Sequence, residues 1–161
     1  MKAKNLLLLI MAGIIFYSCG NSQKENVLTK EEVADGWKLL FDGKTLNGWR
    51  DYNGDSLTAP WTVEEGTIRA LGGGSDASGY IVTDTIYENF ELVWDWKIAK
   101  AGNSGVLYHV VENPKFNVPY ITGPEYQLID EVNFPDPLED WQKTAADYAM
   151  QIGRASCRER V

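Results

Sequence analysis

Cysteine and histidine are almost missing from this chain. Its two cysteines are Cys19, at the end of an apolar leader, and Cys157, close to the last residue; its single histidine is His109. One histidine excludes a multi-histidine zinc site within the chain. With Cys19 spent on lipid, as argued below, no intramolecular disulfide remains. Positive charge is scarce too: 15 Lys and Arg stand against 23 Asp and Glu, for a formal net charge of −8. No basic patch forms, which argues against a nucleic-acid partner. Phosphate loops are lacking as well. Gly72-Gly73-Gly74-Ser75 is followed by Asp76-Ala77-Ser78-Gly79-Tyr80, with neither the Lys-Ser/Thr of a P-loop nor a βαβ context for a dinucleotide.

Long apolar runs are limited to the N-terminus. Lys2 and Lys4 precede an apolar stretch over 6–16, broken only by Gly13 and closed by Tyr17-Ser18-Cys19. The run is short for a membrane span and has the charge, core and small residue of a secretory signal. Ser18-Cys19 resembles a bacterial lipobox with larger residues than usual before it; the alternative is an ordinary signal peptide with an incidental cysteine. The reading is a lipoprotein signal over 1–18, lipidation at Cys19 and a polar flexible tether over 19–35. That makes the protein a cell-envelope lipoprotein, in the outer membrane and facing either the periplasm or the exterior, held to the membrane through its lipid.

The other end is also distinct. Residues 151–161 hold Arg154, Arg158 and Arg160 and no lysine, against a lysine-rich remainder. They read as a non-native tail, the alternative being a genuine basic extension. The domain proper is then 36–150, incomplete at its C-terminus, and a sandwich lacking strands is expected to be unstable or aggregation-prone.

What is abundant is aromatic: six Trp and eight Tyr. Apolar alternation places strands over 37–41, 61–65, 67–71, 79–83, 90–98, 105–111 and 125–130. The clearest is 90–98, where Phe90, Leu92, Trp94, Trp96 and Ile98 share one side and Glu91, Asp95 and Lys97 the other. Glu65-Gly66 reads as a hairpin turn, and Asp42-Gly43-Lys44 as another turn. Only 138–150 looks helical, with Leu138, Trp141, Ala145 and Tyr148 on one face. Many short strands between turn signals mean an all-β sandwich or jelly roll.

Two turn-plus-strand blocks carry the polar signal: Gly102-Asn103-Ser104-Gly105-Val106-Leu107-Tyr108-His109 and Gly123-Pro124-Glu125-Tyr126-Gln127-Leu128-Ile129-Asp130. Alternation puts Glu125, Gln127 and Ile129 on one surface and Tyr126, Leu128 and Asp130 on the other. In the first block Leu107, His109 and Val111 oppose Val106, Tyr108 and Val110. A Glu and a Gln between bulky residues fit a cleft for a hydroxyl-rich ligand such as a sugar; a solvated outer face fits the same spacing.

Leu40-Phe41-Asp42-Gly43-Lys44-Thr45-Leu46-Asn47-Gly48-Trp49 resembles the opening signature of the 3-keto-disaccharide hydrolase domain family of bacterial secreted proteins. Gly73-Gly74-Ser75 with Gly79-Tyr80-Ile81-Val82-Thr83, then Tyr87-Glu88-Asn89-Phe90-Glu91-Leu92, resemble its next blocks. Gly102–Val106 and Gly123–Asp130 are similar to its two most distinctive motifs. The resemblance runs from about Trp37 to Met150 and implies a concanavalin-like jelly-roll β-sandwich with a sugar cleft on its concave sheet. It also implies cleavage of 3-keto-glycosides, with a non-catalytic carbohydrate-binding module as the alternative.

Two-carboxylate glycoside hydrolysis needs acids roughly 5 to 9.5 Å apart across the bond. Glu125 and Asp130 fall on opposite faces, so a different route fits the implied substrate. A ketone at sugar C3 acidifies the C2 proton; one base removes it, the C1 aglycone is expelled, and water adds to the enone. On that hypothesis Glu125 is the first candidate for a base or metal ligand, with His109 an alternative base or acid, or simply a satisfied or exposed histidine. Asn103, Ser104 and Gln127 would hydrogen-bond sugar hydroxyls. A divalent metal of unspecified identity would serve as enolate stabiliser, with Asp130 as a ligand; the competing role of Asp130 is to cap the turn before Asn133-Phe134-Pro135.

Overall fold

A computed structural model of the chain describes residues 24–72 and 79–148. The leader, Cys19, part of the Gly72–Ser75 run and the arginine-rich tail lie outside the described residues. The fold is all-β: among the described residues six short strands form three antiparallel pairs, with one five-residue helix and two single-turn 3-10 segments.

The helix, α1 (Lys30–Ala34), falls inside the segment expected to be a tether. Its start is a capping box. Thr29 Oγ1 accepts from the Glu32 backbone N–H at 3.1 Å, and Glu32 Oε2 accepts from the Thr29 N–H at 2.7 Å. The strand expected over 37–41 does not form. The chain turns there instead, because Asp42 accepts from Lys44 N, Thr45 N and Thr45 Oγ1 at 2.8, 2.7 and 2.9 Å. Trp49 Nε1 ties the turn down by donating to Leu40 O at 2.8 Å.

Strand β1 (Trp49–Asp51), unmarked by any alternation, pairs with β4 (Ile81–Thr83). Strands β2 (Trp61–Glu64) and β3 (Thr67–Ala70) form the expected hairpin. Its two loop residues, Glu65 and Gly66, have φ of 49° and 74°, the left-handed pair that matches the twist of a two-residue hairpin.

The third pair carries the core. Strand β5 (Asn103–Leu107) runs antiparallel to β6 (Glu125–Ile129), with Gly105 opposite Gln127 and Leu107 opposite Glu125. The other edge of β6 is covered by an irregular segment at 144–148, where a helix was expected; Ala145 there has a left-handed φ of 68°. Gln127 N donates to Ala146 O and Ala145 N to Gln127 O, both at 3.0 Å, and Tyr148 N donates to Glu125 O at 2.8 Å. The amphipathic spacing there belongs to a 3-10 turn (Asp140–Gln142) followed by turns and a single bridge, Asp147 to Tyr126. With both edges paired, β6 is the central strand. Tyr126, Gln127, Leu128 and Ile129 are buried, as is Ala146 beside them.

Residues 90–98 keep the alternation read from the sequence but are not hydrogen-bonded into a strand. Leu92, Trp94, Trp96 and Ile98 are half-buried while Glu91, Val93, Asp95 and Lys97 are exposed. Trp94 packs edge-on against Tyr126, ring centroids 5.1 Å apart. A period of two reports a one-faced extended segment; it does not by itself supply a ladder partner.

The long connection from β5 to β6 is fastened to β1. Arg50 makes a two-pronged pair with Glu112 at 2.6 and 2.5 Å. Asn53 N donates to Glu112 Oε1 at 2.8 Å, and Tyr52 OH donates to Val111 O at 3.1 Å. This clamp holds the loop that carries His109.

Candidate active site

Gly102, Asn103 and Ser104 enter β5 from a turn whose geometry is set by Asp130. Its carboxylate accepts from Ala101 N at 2.9 Å, Asn133 Nδ2 at 2.8 Å, and Val132 N and Asn133 N at 3.2 Å each. These donors, Ala101 N–H first, hold the acid below the usual carboxylate range. Asp130 therefore caps both the turn before β5 and the turn after β6. Among the described residues no three His, Cys, Asp or Glu side chains converge on a common point. Four donors already occupy the Asp130 carboxylate, which fits the turn-capping role.

The register decides which candidates meet. Asn103, Gly105 and Leu107 of β5 share a face with Ile129, Gln127 and Glu125 of β6. Ser104 lies opposite Leu128, on the reverse face with Val106 and Tyr126. The structure thus groups Asn103, Glu125 and Gln127 and separates Ser104 from them. Glu125 is half-buried and its side chain folds over Gly105: a Cβ built on Gly105 would collide with Glu125 Oε1, and would lie 2.5 Å from Cγ and 2.6 Å from Cδ. Asn103 is exposed at the edge of the same face. Gln127 is only 2% exposed, and its Oε1 has no hydrogen-bond partner. At that burial it does not reach a sugar without rearrangement.

His109 does not continue β5. The strand ends at Leu107, and His109 adopts φ of 53°, a left-handed conformation that turns the chain out of the sheet. Its exposed ring lies 5.6 Å from that of Phe90 and 5.8 Å from that of Tyr108. With Glu88, Asn89, Phe90 and Tyr108 it lines an open cleft of about 380 Å³. A smaller, more apolar cleft of about 200 Å³ adjoins it, walled by Phe90, Trp94, Tyr108, Tyr126 and Asp147.

Sequence reasoning missed the pair inside that second cleft. Tyr108 OH donates to Asp147 Oδ1 at 2.8 Å, and burial first, then the bond to Asp147, pushes the phenol above its ordinary value. Tyr108 stood in the alternating block and offered a signal. Asp147 did not, since 138–150 reads as a helix.

Comparison with known proteins bears on this arrangement. Residues 36–160 match the 3-keto-alpha-glucoside-1,2-lyase-like domain family. A Bacteroides thetaiotaomicron protein named 3-keto-disaccharide hydrolase is 41% identical over 116 residues, which is 64% of this chain and 40% of that protein. A crystal structure from Parabacteroides distasonis, described as a candidate glycosyl hydrolase, is 48% identical with a TM-score of 0.72; the alignment covers 83% of this chain and 64% of that one. The chain thus spans less than half of the curated relative and just under two thirds of the solved one.

Proposed function

Because the chain belongs to the 3-keto-alpha-glucoside-1,2-lyase-like domain family, we propose that it acts on 3-keto-glycosides, cleaving them by elimination and hydration with Glu125 as the base. The observation that carries the assignment is the half-buried Glu125 carboxylate, held on the central strand and facing the same side as the exposed Asn103. A carboxylate on a rigid, doubly paired strand is better placed for proton abstraction than His109, which stands exposed on a loop.

In the proposed reaction a Glu125 oxygen takes the C2 proton, acidified by the neighbouring ketone. The C2–H electron pair becomes the C1–C2 double bond as the C1–O bond breaks and the aglycone oxygen leaves with a proton from water. The hydroxide left by that water adds at C1 and protonated Glu125 returns its proton to C2, which gives the 3-keto sugar and the free base, so the net change is hydrolysis by one water. Asn103 is the residue of this face placed to hydrogen-bond a sugar hydroxyl. Lipid attached to Cys19 would hold the domain at the cell envelope.

A second reading, a carbohydrate-binding module without catalysis, is favoured by the cleft beside Phe90, Tyr108 and His109, whose rings offer stacking surfaces for a sugar. Glu125→Gln separates the two. As the base, Glu125 is essential, and the variant loses turnover of a chromogenic 3-keto-glucoside by about a thousandfold while still binding it. Wild-type turnover in that variant rejects the base assignment. Binding of unoxidised glucosides with no product from 3-keto substrates supports the module.

A further inference from the structure

We propose that Gly105 is a positioning residue for Glu125: its missing side chain is the seat into which the Glu125 carboxylate folds. The proposal deepens, and rests on, the reading of Glu125 as the base. Gly105 lies in the middle of β5, directly opposite Gln127 and diagonal to Glu125. No left-handed φ requires glycine there. What requires it is close approach. Three consecutive atoms of the Glu125 side chain, Cγ, Cδ and Oε1, occupy the volume that any Cβ at position 105 would need.

Neighbouring glycines differ. Gly102 is crowded by the Ala99 carbonyl and the Ile98 side chain, and Gly123 by the Tyr108 carbonyl and Val110, contacts that shape turns. Only Gly105 is, among the glycines of these two blocks, crowded wholly by a carboxylate-bearing side chain.

The seat has a chemical consequence. A strand residue normally projects its side chain away from the sheet, free to sample several rotamers. Glu125 lies instead flat across the neighbouring strand, beside the position of the buried Gln127 amide, whose Oε1 is unpartnered. A base confined in this way spends little of its reaction barrier on being ordered. A Cβ at 105 forces the carboxylate outward into solvent and into a wider set of rotamers, while the β5 backbone has no reason to move.

The test uses the full chain with Gly105→Ala, Glu125→Gln, Glu125→Ala and the Gly105→Ala/Glu125→Ala double variant. Carbon-13 labelling of glutamate carboxyls, with Glu125→Gln assigning the signal, reads the titration of Glu125 without any need for turnover. Gly105→Ala is expected to move that midpoint, because the carboxylate exchanges its seat for solvent. On a chromogenic 3-keto-glucoside it is expected to lower kcat about tenfold or more, with KM changed less than about threefold. Melting temperature closes the cycle: Gly105→Ala lowers it in the wild-type background and not in Glu125→Ala, where the colliding atoms are gone.

An unmoved midpoint with unchanged kcat overturns the proposal. So does a Gly105→Ala loss of fold that persists in the Glu125→Ala background, since the glycine would then serve the backbone. Turnover surviving in Glu125→Gln removes the base assignment instead, while the titration and the melting cycle still decide whether Gly105 seats that carboxylate.

Discussion

The hydroxyl of Tyr108 donates to Asp147 Oδ1 at 2.8 Å, joining the end of β5 to the segment on the far side of β6. The bond spans the central strand, so three neighbouring segments are tied together at one point on the Tyr126 face. Tyr108→Phe keeps the ring in both clefts and removes only the donor. It is expected to cost about 0.5–1 kcal/mol in denaturant unfolding.

The same pair gives a pH dependence at the alkaline end. Burial and Asp147 raise the Tyr108 phenol above its ordinary value. A raised value means that the folded state holds the proton more tightly. The stabilisation is complete below the unfolded value, roughly 10, and is lost as pH rises through the folded one. Absorbance titration of phenolate is expected to show Tyr108 ionising late, and Tyr108→Phe to remove its contribution from the late part of the curve.

Arg50 and Glu112 set the acid limb. The Arg50 hydrogen bonds, then the Asn53 N–H, hold Glu112 below the ordinary carboxylate range against the opposing effect of burial. A lowered value stabilises above the unfolded pKa and is lost as pH falls through the folded one. Glu112→Gln is expected to cost about 1 kcal/mol at neutral pH, less at high salt, and to flatten the loss of stability below roughly pH 4.5. Melting curves between pH 3 and 7 at two salt concentrations check it.

Thr144 substitutes its hydroxyl for a missing backbone partner. Ile129 N donates to Thr144 Oγ1 at 3.2 Å, and Thr144 Oγ1 donates to Ile129 O at 3.0 Å. Thr144→Val leaves two half-buried backbone groups unpaired and is expected to cost about 1–2 kcal/mol, with faster hydrogen exchange at Ile129. Thr144→Ser restores both.

Asp130 distinguishes a cap from a metal ligand. With four donors on its carboxylate, Asp130→Ala is expected to lower the melting temperature and Asp130→Ser to recover part of it. Chelation by EDTA is expected to leave wild-type melting unchanged. A drop on chelation would restore the metal role.

Local chemistry was legible before the fold. Glu65-Gly66 announced its hairpin because it interrupts two short alternating runs with a glycine, and both residues take the left-handed φ that such a turn needs. The alternation of 125–130 gave the faces of β6, and with them the separation of Glu125 from Tyr126. What failed did so where spacing has two meanings. Ala145 and Tyr148 read as one side of a helix, yet β6 needed a partner for its second edge, and backbone pairing with Gln127 and Glu125 decided the matter. His109 read as the next residue of β5, whereas its left-handed backbone and the rings of Phe90 and Tyr108 carry it out of the strand.

The sequence by itself determined the class and the family, since strand period, turn residues and ordered motifs are properties of neighbours along the chain. Tertiary structure alone decided that Glu125 lies across Gly105, that Gln127 is buried and that Tyr108 meets Asp147. Each of these depends on the register between segments distant in sequence. A shift of one residue in that register would turn every one of these side chains to the other face.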